Sequence, residues 1–270
     1  MLALIAGRGR LPELLAGQVR REGRGLVYCA FHDTPPGPVA PDIVFRLETL
    51  GSLVRQLRRR GVDEVCLAGG IRRPRLNPLR LSLASLPLIP RFVAALRQGD
   101  DGALRAVLEL FEENGMKVRA AQEIMPSLLP DAGVLTRARP DASDRADAAR
   151  GAEIVAAMGQ ADVGQACVVA HCQALAIEAM PGTDWMLASL AGRRDGLPGG
   201  GLLYKAPKPT QDRRVDLPAI GPGTVAGAVA AGLRGVVIEA GGVLVLDLKE
   251  TVAAADAAGL YLWVRAPERG

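Results

Sequence analysis

Two rhythms alternate along this chain. Short unbroken apolar runs suit strands buried on both faces of a parallel sheet. Between them, apolar residues recur every three or four positions, as on one face of a helix. Leu2 to Ala6 is the first run. Gly7-Arg8-Gly9-Arg10-Leu11-Pro12 follows, then a helical pattern to about Glu22. Leu26 to Ala30 reads as a second strand and Asp42 to Arg46 as a third. Gly51 to Arg60 has helical spacing, with Leu53 and Leu57 on one face and Arg58-Arg59-Arg60 at its end. The helix dipole favours cations there, so that cluster needs no ligand. Val65 to Ala68 is a buried strand ending on Gly69-Gly70. Asp100 and Asp101 open a helix with Leu104, Val107, Leu108 and Phe111 on one face, ending at Gly115. Met116 to Arg119 reads as an edge strand.

Strand, glycine turn and helix form the opening of a Rossmann-like unit, and the alternation implies a parallel sheet whose ligands gather at strand C-termini. Gly9 and Gly69-Gly70 are then candidates for one crevice. A nicotinamide site is poorly supported, because Pro12 occupies the place of the third glycine in GxGxxG. A turn used for another phosphate ligand, or for packing, fits as well.

From Pro126 to Pro140 the chain is loop-like, and the domain boundary belongs there, giving domains 1–130 and 131–270. A helix spans about Asp144 to Met158, with Ser143 as its N-cap. Asp162-Val163-Gly164-Gln165 is a turn. Cys167 to Ala170 and Leu175 to Glu178 form two strands of a hairpin around His171-Cys172-Gln173. Pro181-Gly182 turns into a helix headed by Thr183 and Asp184, where ordinary N-capping and a site role are equally good readings. A polar loop, Gly192 to Gly200, precedes the short strand Gly201 to Tyr204. Pro222-Gly223-Thr224 starts a helix to Leu233. Val236 to Glu239 and Val243 to Leu246 are strands around Gly241-Gly242, and a helix (Lys249 to Ala258) and a strand (Leu260 to Val264) close the chain.

The chain has 270 residues, 49% of them hydrophobic and 3% aromatic, enough for a real core of helices on sheets. The net charge of +4 suits an anionic ligand or membrane surface, not a nucleic-acid binder, whose basic patches are denser. Cys29, Cys66, Cys167 and Cys172 form no CxxC pair and read as buried thiols of a reducing cytosol. No signal peptide or membrane-spanning run stands out. Ile71 to Gln98 holds six arginines, seven leucines and no acid. It suits contact with anionic head groups and acyl chains, and equally a proline-broken helix packed on the sheet with its arginines snorkelling.

Candidate chemistry concentrates in Lys205 to Pro218, KAPKPTQDRRVDLP. Pro207, Pro209 and Pro218 forbid a continuous helix and fix φ at those points. The result is a stiff loop with Lys205, Lys208, Arg213 and Arg214 beside Asp212 and Asp216. Cations hold phosphate oxygens, and carboxylates hold Mg²⁺ together with substrate phosphates. A solvated charged loop is the plain alternative. Phosphoryl chemistry runs on positioning, cations, a metal and one base, and this inventory supplies those. No GxSxG, Ser/His/Asp set or Walker A motif offers another route.

The motifs DVGQ (162–165), EAxxGTDxML (178–187), KAPKPxQDxRxDLP (205–218) and EAGG (239–242) stand in the second half. LIAGxGxLP (4–12), LAGGIxRP (67–74) and GDDxxLR (99–105) stand in the first. Together they resemble the UDP-2,3-diacylglucosamine pyrophosphatases of the lipid A pathway, of the type unrelated to calcineurin-like metallophosphoesterases. The resemblance implies a Rossmann-like N-terminal domain with a parallel sheet, a mixed α/β C-terminal domain, and substrate between them. It implies Mg²⁺-dependent hydrolysis to 2,3-diacylglucosamine 1-phosphate and UMP, with water attacking the sugar-side phosphorus. The essential aspartate of xDLP maps onto Asp216. Catalysis would fall to Asp216 and Lys205, and metal binding to Asp216 and Asp184, with Glu178 as another carboxylate for the metal. Substrate contacts would come from Gly9, Arg10, Gly69, Gly70, Asp100 and Asp101, and from Gln165, Thr183, Asp184, Lys208, Gln211 and Arg214. The expected setting is the cytoplasmic face of the inner membrane, touched transiently, with a homodimer compatible and no nucleic acid involved. His171-Cys172-Gln173, Trp185 and Arg8 depart from the family's pattern and bear on loop shape and acyl-chain or head-group preference. A nucleotide-binding regulatory protein without turnover and an NAD-linked oxidoreductase are the rival readings.

Overall fold

Every residue of the first apolar run is buried, which places that strand inside a sheet covered on both faces. The structure is a computed structural model and describes residues 1–35, 37–70, 82, 84, 85, 100–192, 196, 198–209 and 211–266. The arginine- and leucine-rich segment 71–98 lies almost wholly outside the described residues, as do parts of 192–200 and the side chains of Asp100 and Asp101. The described chain falls into two units: Met1–Met125 with Asp212–Val215, and Pro126–Gln211 with Asp216–Gly270.

The first unit runs β1 (Leu2–Ala6), α1 (Leu11–Arg21), β2 (Leu26–Phe31), β3 (Ile43–Phe45), α2 (Leu50–Arg59), β4 (Glu64–Ala68), α3 (Asp100–Glu113), β5 (Lys117–Val118) and the short α4 (Ala121–Ile124). Its strands form one parallel sheet in the order β3-β2-β1-β4-β5, with Leu2 facing Leu26 on one side and Glu64 on the other. This is the order of a doubly wound, Rossmann-like sheet, and the winding reverses between β1 and β4. Leu53, Leu57, Leu108 and Phe111, the apolar stripes read from the sequence, meet Ile5, Val27 and Val65 in its core. Val215 packs against the same core, consistent with its place in this unit.

The second unit holds β6 (Gly133–Val134), α5 (Ala142–Gln160), β7 (Ala166–Ala170), β8 (Gln173–Ile177), α6 (Thr183–Ala191), β9 (Leu202–Lys205), β10 (Ala219–Ile220), α7 (Pro222–Ala230), β11 (Gly235–Glu239), β12 (Leu244–Val245), α8 (Leu248–Ala257) and β13 (Tyr261–Arg265). Its six-stranded sheet has the order β6-β13-β11-β9-β7-β8. The inner strands β13, β11 and β9 are parallel, and β6, β7 and β8 run antiparallel to their neighbours. Successive residues alternate between two cores, as a pleated strand requires. Leu202, Tyr204 and Val237 face α5, with Val155 and Met158. Leu203, Val236 and Ile238 face α6, α7 and α8, with Leu187, Val225 and Ala255.

Four sequence readings change. The N-cap of α5 is Asp141, not Ser143: Asp141 is extended, its carboxylate accepts from Asp144 N at 2.9 Å, and Asp144 Oδ2 accepts from Asp141 N at 2.9 Å. That reciprocal box satisfies two end donors, which Ser143, two residues too late, cannot do. The β7–β8 turn is only His171-Cys172, both left-handed at φ 49° and 60°, so β8 begins at Gln173. A two-residue turn of this kind matches the twist of the strands it joins. Val243 to Leu246 does not enter the main sheet; β12 pairs with β10 instead. Cys172 is exposed, whereas Cys29, Cys66 and Cys167 are buried and their thiols are pushed up to about 12 by burial.

Gly151 lets α5 approach the sheet: a Cβ there would lie 2.6 Å from Tyr204 Cβ. Gly151→Ala should therefore lower the unfolding free energy by about 1–3 kcal/mol, as overpacking does. Chemical denaturation of the two proteins measures it, and an unchanged midpoint would show that β9 is not pinned there.

Candidate functional site

Both glycine turns of the first unit stand at the carboxyl ends of neighbouring strands. Arg8 and Gly70 exchange backbone hydrogen bonds, Arg8 N to Gly70 O at 2.8 Å and Gly70 N to Arg8 O at 3.0 Å. The turns touch so closely that a Cβ on Gly7 would sit 2.7 Å from the carbonyl oxygens of Gly69 and Gly70. Gly9 and Gly69 have φ of 97° and 87°, a region that favours glycine. The structure thus joins Gly9, Gly69 and Gly70 at the switch point of the sheet, next to the start of α1. Arg10 Nη1 pairs there with Glu13 Oε2 at 2.7 Å. Asp100 and Asp101 begin α3.

In the second unit, Lys205 closes β9 and is buried, only 6% exposed. Its Nζ donates to Thr183 Oγ1 at 2.8 Å and to the Ala219 carbonyl at 3.2 Å. Thr183 Oγ1 donates onward to Glu178 Oε1 at 2.6 Å, and Glu178 Oε2 accepts from Gln165 N at 2.9 Å. Burial holds Lys205 below the usual lysine range, while the charges of Glu178 and Asp184 pull it back up. Gln165 carries a buried side-chain oxygen with no partner among the described residues. Its carbonyl accepts from Ala206 N at 3.1 Å, so the chain leaving Lys205 is tied to the turn before β7.

The loop that follows is shaped by its prolines and by glycines opposite them. A Cβ on Gly242 would lie 2.7 Å from Pro207 Cδ, and one on Gly159 2.8 Å from Pro209 Cδ. The glycines of EAGG and of the end of α5 are what let the two prolines pack. Lys208 Nζ reaches Asp162 Oδ1 at 2.6 Å. Gln211 N donates to Lys208 O at 3.3 Å, and Gln211 Oε1 accepts from Lys208 N at 3.2 Å. Gln211 Nε2 then donates to Asp216 Oδ2 at 2.6 Å. Beyond Asp216, the carbonyls of Pro218 and Ala219 are held by Leu244 N at 2.8 Å and by Lys205.

Asp212 to Val215 belong to the first unit. Arg214 grips Asp212 with Nε and Nη2 at 3.0 and 2.8 Å, and Glu112 Oε1 with Nη1 at 2.8 Å. Gln122 Nε2 donates to the Arg213 carbonyl at 3.0 Å. The Arg214 hydrogen bonds hold Asp212 below the usual carboxylate range. These bonds use three of the five N–H groups of Arg214.

Asp216 is half-buried; Oδ2 is tied to Gln211, and Oδ1 takes no hydrogen bond from the described residues. One open carboxylate oxygen fits Mg²⁺, which settles for one or two protein carboxylates and fills its shell with phosphate oxygens and water. No three His, Cys, Asp or Glu side chains converge among the described residues. Asp184 is exposed in the first turn of α6 and is available. Glu178, the other carboxylate read for the metal, accepts one hydrogen bond on each oxygen, from Thr183 Oγ1 and from Gln165 N. Asp162 and the Ala219 carbonyl went unread in the sequence. No local signal pairs Asp162 with Lys208 or the Ala219 carbonyl with Lys205, which stand 46 and 14 residues away.

Residues 1–128 match the family model described as the LpxI N-terminal domain, and residues 131–263 the LpxI C-terminal domain. The UDP-2,3-diacylglucosamine pyrophosphatase LpxI of Caulobacter vibrioides (strain ATCC 19089 / CIP 103742 / CB 15) is 38% identical over 269 residues, covering 97% of this chain and 96% of that protein. Among solved structures, a CobK precorrin-6A reductase aligns with 99% of this chain and 90% of its own at 20% identity, with a TM-score of 0.34, too low to carry an argument.

The buried lysine has a pH signature. Between its lowered value and the ~10.4 of an unfolded lysine, the unfolded chain binds a proton that the folded chain does not, so stability rises with pH across that window. Below the window the burden of burying the charge is present in full. Lys205→Met removes this dependence. The unfolding free energy of the wild type minus that of the variant should climb with pH through the window, and a flat difference would mean that Lys205 titrates as in water.

Proposed function

The chain belongs to the LpxI family, and from that premise we propose that it hydrolyses UDP-2,3-diacylglucosamine to 2,3-diacylglucosamine 1-phosphate and UMP in lipid A synthesis. The observation that carries this reading is the loop after β9. It anchors a buried cation, Lys205, at its start and leaves one carboxylate oxygen of Asp216 open near its end.

In the proposed step, water attacks the sugar-side phosphorus. Its oxygen forms the new P–O bond, the bond from that phosphorus to the bridging oxygen breaks, and the bridging oxygen departs on UMP. The water sheds a proton, and negative charge grows on the oxygens around phosphorus. Fixed cations aimed at that charge are what accelerate such a reaction. Lys205 supplies the fixed one, and Lys208 and Arg214 supply charge from the loop. Asp216 Oδ1 serves one of two jobs, receiving the proton of the water or binding Mg²⁺. Asp216 and Asp184 are the carboxylates that would hold Mg²⁺, which would supply charge neutralisation on the diphosphate. Gly9, Arg10, Gly69 and Gly70 form a turn of the kind that lets a backbone approach an anionic ligand.

A diacylated substrate sits in a lipid surface, so the reading includes transient contact with the cytoplasmic face of the inner membrane. No described helix is long and apolar enough to cross a membrane.

Asp216→Ala should cut UMP release from UDP-2,3-diacylglucosamine by about 10²–10⁴-fold, the usual worth of a placed acid–base group, while substrate still binds. UMP detection by chromatography and a binding titration check the two halves. A rate near that of the wild type removes Asp216 from the chemistry.

A further inference from the structure

Glu178 is a buried carboxylate, 7% exposed, that the step above does not use. Both of its oxygens are engaged, Oε1 by the Thr183 hydroxyl at 2.6 Å and Oε2 by Gln165 N at 2.9 Å. Thr183 is also buried, and its oxygen takes a proton of the Lys205 ammonium at 2.8 Å. The direction of these bonds is forced by chemistry. An ammonium has no acceptor and a carboxylate has no donor, so the hydroxyl between them accepts from Lys205 and donates to Glu178. A second Lys205 proton goes to the Ala219 carbonyl at 3.2 Å. The third proton meets no acceptor among the described residues. The backbone builds this geometry deliberately: Glu178 N donates to Ala166 O at 2.8 Å, and a Cβ on Gly164 would lie 2.3 Å from the Glu178 carbonyl oxygen.

We propose that Glu178 and Thr183 are positioning residues that lock the Lys205 ammonium so that its remaining proton is presented to a diphosphate oxygen. This rests on the reaction proposed above. Two of the three protons are consumed by fixed protein acceptors, so the ammonium cannot rotate freely and its third N–H has a set direction. Retention of the triad for stability alone is a weak explanation, because a buried ionic network is matched by well-packed apolar residues of similar volume. Catalysis has a use for it that apolar residues cannot meet. A donor fixed before the reaction needs no reorganisation as charge develops, and small misplacements cost large factors in rate. Thr183 thereby acts through Lys205, and its hydroxyl proton is not available to the substrate.

The test compares Thr183→Val, Thr183→Ser, Glu178→Gln and Lys205→Met in the full-length protein, measuring kcat and KM for UDP-2,3-diacylglucosamine hydrolysis alongside the thermal midpoint. Thr183→Val should lower kcat by about 100-fold with little change in KM, since the loss falls on the transition state. Thr183→Ser keeps the hydroxyl and should recover most of that loss. Glu178→Gln offers an amide donor where two donors already point, and should lower kcat by about tenfold. Combining Thr183→Val with Lys205→Met should be no worse than Lys205→Met alone, because groups acting as one unit are not additive.

A raised KM with unchanged kcat in Thr183→Val would mean direct substrate contact and overturn the proposal. So would a Thr183→Ser that folds as the wild type does yet loses as much kcat as Thr183→Val. Should Thr183→Val fail to fold, the Thr183→Ser and Glu178→Gln rates decide alone, wild-type kcat in Glu178→Gln counting against. Lys205→Met at the wild-type rate overturns this inference but leaves the hydrolase reading standing. A wild-type protein that releases no UMP sinks both.

Discussion

An ammonium group taken out of water must find fixed dipoles and opposite charge inside the protein, or give up its proton. Lys205 is in that position, and much of the second unit is arranged around it. Its strand, β9, lies in the interior of the six-stranded sheet. The antiparallel neighbours β7 and β8 bring Gln165 and Glu178 to the same end as Lys205, since a strand running back returns its far end to its partner's start. Gly182, at φ 90°, then turns the chain into α6 so that Thr183 stands as its first residue. Three residues far apart in sequence meet because sheet topology leaves them no other place.

The same logic extends into the loop. Pro207 and Pro209 stiffen it, but stiffness alone gives no address. The address comes from Gly242 and Gly159, each without a side chain where a proline ring packs. Gln211, buried at 8% exposure, then spans from the Lys208 backbone to Asp216. One side chain thus sets both the curvature of the loop and the orientation of its carboxylate. The EAGG motif, a bare glycine signature in the sequence, acquires a packing reason here.

The elements that the sequence discloses are those where a local rule decides. Apolar runs of about five residues became strands, and the stripe of Leu104, Val107, Leu108 and Phe111 became the inner face of α3. Gly9 and Gly69-Gly70 could be paired in advance, because parallel strands end on one side and glycine marks each exit. Partners across the sheet are a different matter. An acid near a strand end reads alike whether it holds a metal or a buried lysine, which is why Glu178 was open to either role. Asp162, left-handed at φ 52°, carries no local sign of the cation it meets. Nor could continuity of sequence disclose that Asp212 to Val215 pack with the first unit while their neighbours on both sides do not. The cap of α5 failed for a smaller reason: Asp141 and Ser143 are both good capping residues, and only the reciprocal bond with Asp144 chooses between them.

Magnitudes separate the loop cations into two kinds. Arg214, with 46% of its side chain exposed, is paired with Asp212 and Glu112, and Lys208 with the exposed Asp162. Ion pairs in such settings are each worth only about 0.2–1 kcal/mol, so exchanging them for an anion would cost little. These side chains suit capture and release of an anion. Lys205 cannot be exchanged in that way. Each hydrogen bond to a buried charge is worth about 1.5–3 kcal/mol, so leaving its bonds to Thr183 and Ala219 unmade would cost more than breaking a surface pair. On the reading proposed above, grip on the substrate and stabilisation of developing charge would fall to different cations, divided by how much water each is allowed to keep.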